Sequence, residues 1–296
     1  MKSRPPLLNQ TFSLAICKES PNSFRPINCM PVANDSSKAQ RQTQACRLHA
    51  REALLNANPA RSSMFYDGWQ LRFGFDKRPL TNCILTPGRS YLPLHERIQT
   101  VCAIYHSMGH KAAFLIDQCT EPADLDRVLT DRGFQRRAAA RLALASRVHP
   151  PDHRSRMADY DLELQTGLDR QTGQLFDRWQ ETSAGLYVES IVSRSLIVSR
   201  QCWALIHQAG QIIAGLHCVL HGSYAVIQHP VTHPAYDRSS LLAALLQGGL
   251  DWAANFGIAT ALLTDHDLIS IAETMPDSIQ IQVLDQIHYR VAPDQP

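Results

Sequence analysis

Between Tyr224 and Leu263 the chain changes its hydrophobic period twice, and this stretch limits the folds open to it. Tyr224–Gln228 is a short apolar run of strand length. Leu241–Ala254 then carries Leu241, Leu242, Leu245, Leu246, Leu250 and Ala253 at helical spacing and is closed by Gly257, after which Ile258–Leu263 is strand-like again. Two strands joined through a helix of that length pack most simply as parallel neighbours with a right-handed crossover. Just before them, Cys202–His207, a turn at Gly210 and Ile212–Leu220 form an antiparallel hairpin pattern, so the sheet is mixed. The expected class is α+β (mixed α/β). Ligand chemistry is expected where the helix begins after its strand.

The front of the chain has a similar alternation. A helical pattern starts at Ser36/Ser37 and stops at Asn58-Pro59. Trp69–Phe75, Asn82–Thr86, Ala112–Ile116 and Phe134–Val148 read as strands, the last able to form a hairpin. Leu94–Met108 and Pro122–Arg132 read as helices, each followed by a terminating glycine. His149-Pro150-Pro151-Asp152 marks a boundary. Beyond it, Tyr160–Gln165 reads as a strand, Thr172–Thr182 as a helix, and Ile191–Ser199 as holding a short helix. The expected division is an extension over residues 1–37, rich in Pro, Ser and Asn, then domains over 38–150 and 151–296.

A net charge of +2 argues against a dedicated nucleic-acid binder; the Arg136, Arg137 and Arg141 cluster is read as a solvated face. No apolar run approaches the roughly 20 residues that span a bilayer. The eight cysteines show neither C-x-x-C nor zinc-like spacing, and no metal site is expected. They are read as reduced thiols of a cytoplasmic protein. No G-x-S-x-G, Walker A or G-x-G-x-x-G pattern occurs.

Several segments, in order, resemble the GNAT family of N-acetyltransferases in its tandem, two-repeat form. HPAYDRSSLLAALLQGGLDWAANFGI (His233–Ile258) is similar to the family stretch that opens HPxxRGxGxGxxLL and ends xxWAxxxGxxx. DGWQLRF (Asp67–Phe73), DLDRVLTDRGFQ (Asp124–Gln135) and the terminal IHYRV (Ile287–Val291) resemble segments of the tandem members. The resemblance covers about residues 40–296. It implies two GNAT-like repeats, each a mixed, mostly antiparallel sheet flanked by helices. It also implies acetyl-CoA as co-substrate, its pantetheine arm lying between two splayed parallel strands and its pyrophosphate at the N-terminus of the central helix.

On that resemblance the cofactor falls on the backbone of Val231 and Thr232 and on the loop Arg238, Ser239, Ser240, Leu241 and Leu242. This loop departs from the family pattern. Asp237 stands at the first basic or amide position, Ser240 and Leu242 at the two glycines, and Pro276 where the family tyrosine protonates the departing thiolate. Arg238 is the expected phosphate partner; alternatively Asp237 or Ser239 is only a helix cap and Leu242 a core residue. The candidate catalytic groups are His229, Asp265 and Glu189. His229 reads equally as a hydrogen-bonded structural histidine, and Thr264-Asp265-His266-Asp267 as an ordinary polar loop. The expected activity is acyl transfer to a small-molecule or peptide amine by a monomer or homodimer. The alternatives are a non-catalytic ligand-binding or interaction protein of the same fold, and another reaction on an acyl thioester.

Overall fold

The computed structural model describes residues 36–74, 78–148, 160–179 and 196–293. The front half runs α1 (Ser36–Ala57), β1 (Ser62–Tyr66), β2 (Trp69–Phe73), a 3-10 turn at Pro79–Thr81, β3 (Ile84–Leu85), α2 (Leu94–Ser107), β4 (Ala113–Ile116), α3 (Leu125–Asp131) and β5 (Gln135–Arg147). The back half runs β6 (Asp161–Gln165), α4 (Arg170–Trp179), β7 (Gln201–Gln208), β8 (Gln211–His221), β9 (Tyr224–Thr232), α5 (Arg238–Ala254), β10 (Thr260–Leu263), α6 (His266–Glu273) and β11 (Ile279–Val291). Residues 1–35 of the extension expected over 1–37, and most of the helix expected over Ile191–Ser199, lie outside the described residues; α1 already begins at Ser36.

The eleven strands among the described residues join one mixed sheet, in the order β1-β2-β3-β4-β11-β5-β10-β9-β8-β7-β6. Each half contains a β-α-β unit with parallel strands: β3 and β4 around α2, and β9 and β10 around α5. The terminal strands are exchanged between halves. β11, the last strand of the chain, pairs antiparallel with β4, whereas β5, the last strand of the front half, pairs antiparallel with β10. β5 and β11 also pair with each other from Ile279↔Arg147 to Val291↔Gln135, which knits the halves together. β5 is therefore one long strand and not a hairpin.

Strand alternation sends successive side chains to opposite faces, and the middle of the sheet shows this directly. Ala143 and Ala145 of β5, Ala225 and Ile227 of β9, and Ala261 and Leu263 of β10 pack in one core with the leucine stripe of α5. Their neighbours Leu142, Leu144, Val226 and Leu262 pack on the other face against Cys46, Ala50, Ala53, Leu54 and Ala57 of α1. So α1, from the front half, covers the sheet of the back half. The front half has its own core, built on Trp69, Leu71, Val101, Tyr105, Phe114 and Leu129. Gly249 lets α5 lie close on the sheet: a Cβ there would stand 2.9 Å from Cys218 Sγ and 3.0 Å from Ile227 Cδ1.

The cysteines correct one expectation. Cys83, Cys102, Cys119, Cys202 and Cys218 are free, but Cys46 is disulfide-bonded. Spacing along a chain does not show which thiols folding brings together. Among the described residues no helix is long and apolar enough to cross a membrane.

Candidate functional site

β9 and β10 run parallel in register from Tyr224↔Thr260 to Ile227↔Leu263, and there the pairing ends. β10 stops at Leu263, while β9 continues to Thr232 along β8 alone. Five strand residues of about 3.3 Å each leave roughly 16 Å of β9 without a strand partner on that side among the described residues. The divergence starts at a bulge. Gly215 of β8 faces Val231 and His217 faces Gln228, so the two residues His229 and Pro230 oppose Leu216 alone. A proline, with no N–H to give, is tolerated in a strand interior at such a bulge. His229 has φ +57°, the left-handed region, which turns the strand at this point.

A cavity of about 370 Å³ opens where the strands part. Gln228, His229 and Pro230 line it from β9, and Thr264 and Asp265 from the end of β10. The front half closes it with Asn58 after α1, Arg78, Ala138 and Ala140 of β5, and the exchanged strand β11 supplies Ile287 and Tyr289. A second bulge shapes that wall: Ala138 and Ala139 oppose His288, and Ala138 has φ +47°.

Two of the three candidate catalytic residues, His229 and Asp265, meet in this cavity; Glu189 lies outside the described residues. His229 Nε2 is 3.0 Å from Arg78 Nη1. A guanidinium can only donate, so Nε2 is the acceptor and carries no proton in this arrangement. Asp265 is also the N-cap of α6, Oδ1 accepting from the N–H groups of Asp267 at 3.0 Å and Leu268 at 3.1 Å. The polar stretch after β10 thus begins a helix.

Arg78, Asn58 and Gln228 were not among the expected site residues. Asn58 Nδ2 donates to Gln228 Oε1 at 2.7 Å, Gln228 Nε2 donates to the Ala57 carbonyl at 3.1 Å, and Arg78 Nη1 reaches Asn58 Oδ1 at 3.4 Å. Gln228 also contacts buried His217, 3.4 Å away, which is 2.9 Å from Gln201. A buried chain of polar groups therefore runs from β7 to α1 behind the cavity. Its sequence signal is faint: a glutamine inside an apolar strand, and an amide beside the proline that ends α1. Tyr289 is buried on the cavity wall, and burial pushes its hydroxyl up, so it stays protonated.

The far end of the gap is different. Asp237 caps α5, its Oδ2 accepting from Ser240 N at 2.9 Å. Hydrogen bonds from the Ser240 hydroxyl, and from the Ser240 and Ser239 N–H groups, hold the Asp237 carboxyl below its ordinary value. A carboxylate therefore already sits where the helix terminus would receive an anion. Arg238 donates to Asp267 Oδ2 through Nε at 3.1 Å and Nη2 at 2.7 Å, and to Thr232 Oγ1 through Nη1 at 2.8 Å. Of the expected cofactor residues, Leu241, Leu242 and Val231 have buried side chains, and the Leu241 N–H already donates to the Asp237 carbonyl at 3.2 Å, while Ser239 and Ser240 are exposed.

The strand gap fits a pantetheine arm, since β10 leaves the edge of β9 beyond Ile227. The helix terminus fits a pyrophosphate by exchange, with phosphate oxygens taking Arg238 from Asp267.

No protein-family model and no curated protein matches the sequence. Solved structures do match. A GCN5-related N-acetyltransferase from Kribbella flavida superposes with a TM-score of 0.57 at 12% identity, over 86% of this chain and 95% of that one. A tandem GNAT protein from the clavulanic acid biosynthesis pathway, solved without AcCoA, gives 0.52 at 12% identity, over 72% of this chain and 74% of that one. A conserved protein of unknown function from Staphylococcus epidermidis gives 0.50 at 10% identity, over 77% and 93%. At such identities the likeness is one of fold, and the chain has the mixed α/β fold of the GNAT acetyltransferases in its tandem form.

Proposed function

We propose that this protein is an acyl-CoA-dependent N-acyltransferase that acetylates a small amine. The observation that carries the reading is the parted pair β9/β10, which opens at the His229-Pro230 bulge into a largely apolar cavity with a few polar groups on its walls. Acetyl-CoA would supply an activated acyl carbonyl at the mouth of the gap. The edge of β9 that β10 leaves, including Val231 and Thr232, would hold the pantetheine arm. Arg238 and the Ser239 and Ser240 hydroxyls would hold the phosphates.

The chain's own groups then have separate tasks. The amine must lose a proton to form the amide, and His229 would take it at Nε2 once that nitrogen is released from the Arg78 guanidinium. The thiol leaving group must gain one, and Tyr289 is the donor on the cavity wall in place of the tyrosine replaced by Pro276. Asp265, with Oδ1 fixed by the α6 cap, presents a carboxylate to the amine. The low-polarity lining of Leu54, Leu80 and Ile287 excludes water that would hydrolyse the thioester. Incubation with acetyl-CoA and a panel of amines, with thiol release and acetylated product both measured, tests the reading. Amine-dependent release of thiol is expected, and its absence across the panel contradicts the reading.

A second reading is a non-catalytic ligand-binding module of the same fold. It is favoured by the Asp237 carboxylate on the first turn of α5 and by the Arg238–Asp267 pair. Acetyl-CoA affinity separates the two.

A further inference from the structure

We infer that Arg72 heads a second ligand site, set between the two halves and apart from the cavity at His229, that takes a small aliphatic carboxylate. The inference goes beyond the acyltransferase reading and does not depend on it. Strand alternation puts Trp69, Leu71 and Phe73 of β2 into the front-half core and turns Gln70 and Arg72 to the other face, where the end of α1 lies. Arg72 is 6% exposed. Its Nη2 donates to the Leu55 carbonyl at 3.3 Å and to the Asn58 carbonyl, which fastens the end of α1. This leaves Nε and Nη1. Nε is buried with no hydrogen-bond partner, and among the described residues Nη1 has none either. Burial pushes the guanidinium below its ordinary value, and the groups that oppose the shift are Cys83, Tyr289 and Tyr105, none of them a carboxylate. An arginine keeps its charge in proteins, so a buried cation stands here without a counter-charge, and an anion brought to it is stabilising.

A pocket of about 400 Å³ opens beside Arg72. Ser63, which lies opposite Arg72 in the β1–β2 pair, brings a hydroxyl to it, and Gln70 brings an amide. Asn56 brings another and is 3.2 Å from His221 Nε2 at the end of β8. No aspartate or glutamate is among the described lining residues. Leu55 and Leu196 give the pocket an apolar side. A guanidinium with neutral hydrogen-bonding groups around it selects a carboxylate head. The apolar side and a volume near the small end for ligand pockets suit a short aliphatic body and not a second charge. Asn58 stands between this pocket and the cavity at His229, its carbonyl bonded to Arg72 and its side chain to Gln228.

The test titrates the whole protein, without CoA, with the sodium salts of acetate, propionate, butyrate and isobutyrate and with sodium phosphate. Sodium chloride at matched ionic strength is the control, and thermal shift and calorimetry read binding. At least one carboxylate is expected to raise the melting temperature saturably and to bind at least tenfold tighter than phosphate. Gln70→Glu places a carboxylate two residues along the same strand face and leaves the hold of Arg72 on α1 in place. It is expected to melt no lower than the parent and to weaken the carboxylate at least tenfold. Arg72→Gln, which removes the charge outright, is expected to lose the preference for carboxylate over chloride. Arg78→Gln, in the other cavity, is expected to leave carboxylate binding unchanged. A melting temperature that no carboxylate raises beyond the chloride control would overturn the inference. Full carboxylate binding in Gln70→Glu would also overturn it, as would loss of binding in Arg78→Gln alone, which assigns the anion to the cavity at His229. Phosphate bound as tightly as every carboxylate would overturn the ligand class. Because CoA is left out, each of these results leaves the acyltransferase reading standing.

Discussion

Arg238 and Asp267 close the outer end of the strand gap: Nη2 of the arginine lies 2.7 Å from Oδ2 of the aspartate, while Nη1 holds Thr232 on the opposite strand. The pair ties the first residue of α5 to the first turn of α6. A phosphate arriving at this helix end competes with Asp267 for one guanidinium.

Arg238→Ala is therefore expected to weaken CoA binding by about 1.5–3 kcal/mol, or roughly 10- to 100-fold, the range for a hydrogen bond to a charged group. Asp267→Asn is expected to act in the other direction and tighten CoA, because it removes the competitor. Arg238 holds the Asp267 carboxyl below its ordinary value of 3.8. A lowered folded-state value means that the pair's contribution is complete above the unfolded value and is lost only as pH falls through the lower one. Titrations at pH 6 and pH 9 should then show the same Arg238→Ala deficit.

Asp237 separates capping from charge. Asparagine caps a helix about as well as aspartate, so Asp237→Asn is expected to leave the melting temperature unchanged. Removing the anion from the helix N-terminus is expected to tighten CoA by roughly two- to fivefold, in line with the worth of a charge at that position. Calorimetry with CoA and thermal melting of the same sample check both parts.

Leu242, which the resemblance sets at a glycine, is 1% exposed in the core beneath α5. Restoring the glycine removes a whole buried side chain and places glycine in a helix. Leu242→Gly is expected to cost about 3–6 kcal/mol in denaturant unfolding and to bring no gain in CoA affinity.

Asp126 of α3 binds β11 through Arg290 Nε at 2.6 Å and His288 Nε2 at 3.0 Å. The Arg290 hydrogen bond, followed by that of His288, holds the Asp126 carboxyl down to about 2. Its folded-state value is depressed, so its stabilisation is present in full above 3.8 and is lost as pH falls through about 2. With 40% of the Asp126 side chain exposed, solvent screening keeps the effect on the order of 1 kcal/mol or less. Asp126→Asn should lower stability at neutral pH by that amount and make it flatter between pH 4 and pH 2, as followed by urea unfolding at each pH.

The elements legible in the sequence are those whose period is local. Ala45, Leu48, Ala50 and Leu54/Leu55 with the stop at Asn58-Pro59 define α1, and the leucines of α5 with the flanking strands define the parallel unit. β1 and α6 were not legible as elements because they are short. Asp67-Gly68, with both residues at positive φ, was the turn signal for β1, and Asp265 ahead of Leu268, Ile269 and Ala272 was the signal for α6. The exchange of β5 and β11 left no local trace, because alternation fixes which face a side chain takes and not which strand lies alongside. The same reason hid half of the cavity. His229 and Asp265 follow from the strand–helix–strand pattern, but Arg78 and Asn58 enter from a distant part of the chain and were invisible until α1 was laid across the back-half sheet.

Calorimetric titration of the whole protein with acetyl-CoA and with CoA tests the central claim most directly. The account predicts saturable binding with a dissociation constant on the order of micromolar for acetyl-CoA, weakened by Arg238→Ala. No heat and no thermal stabilisation at millimolar acetyl-CoA would contradict it.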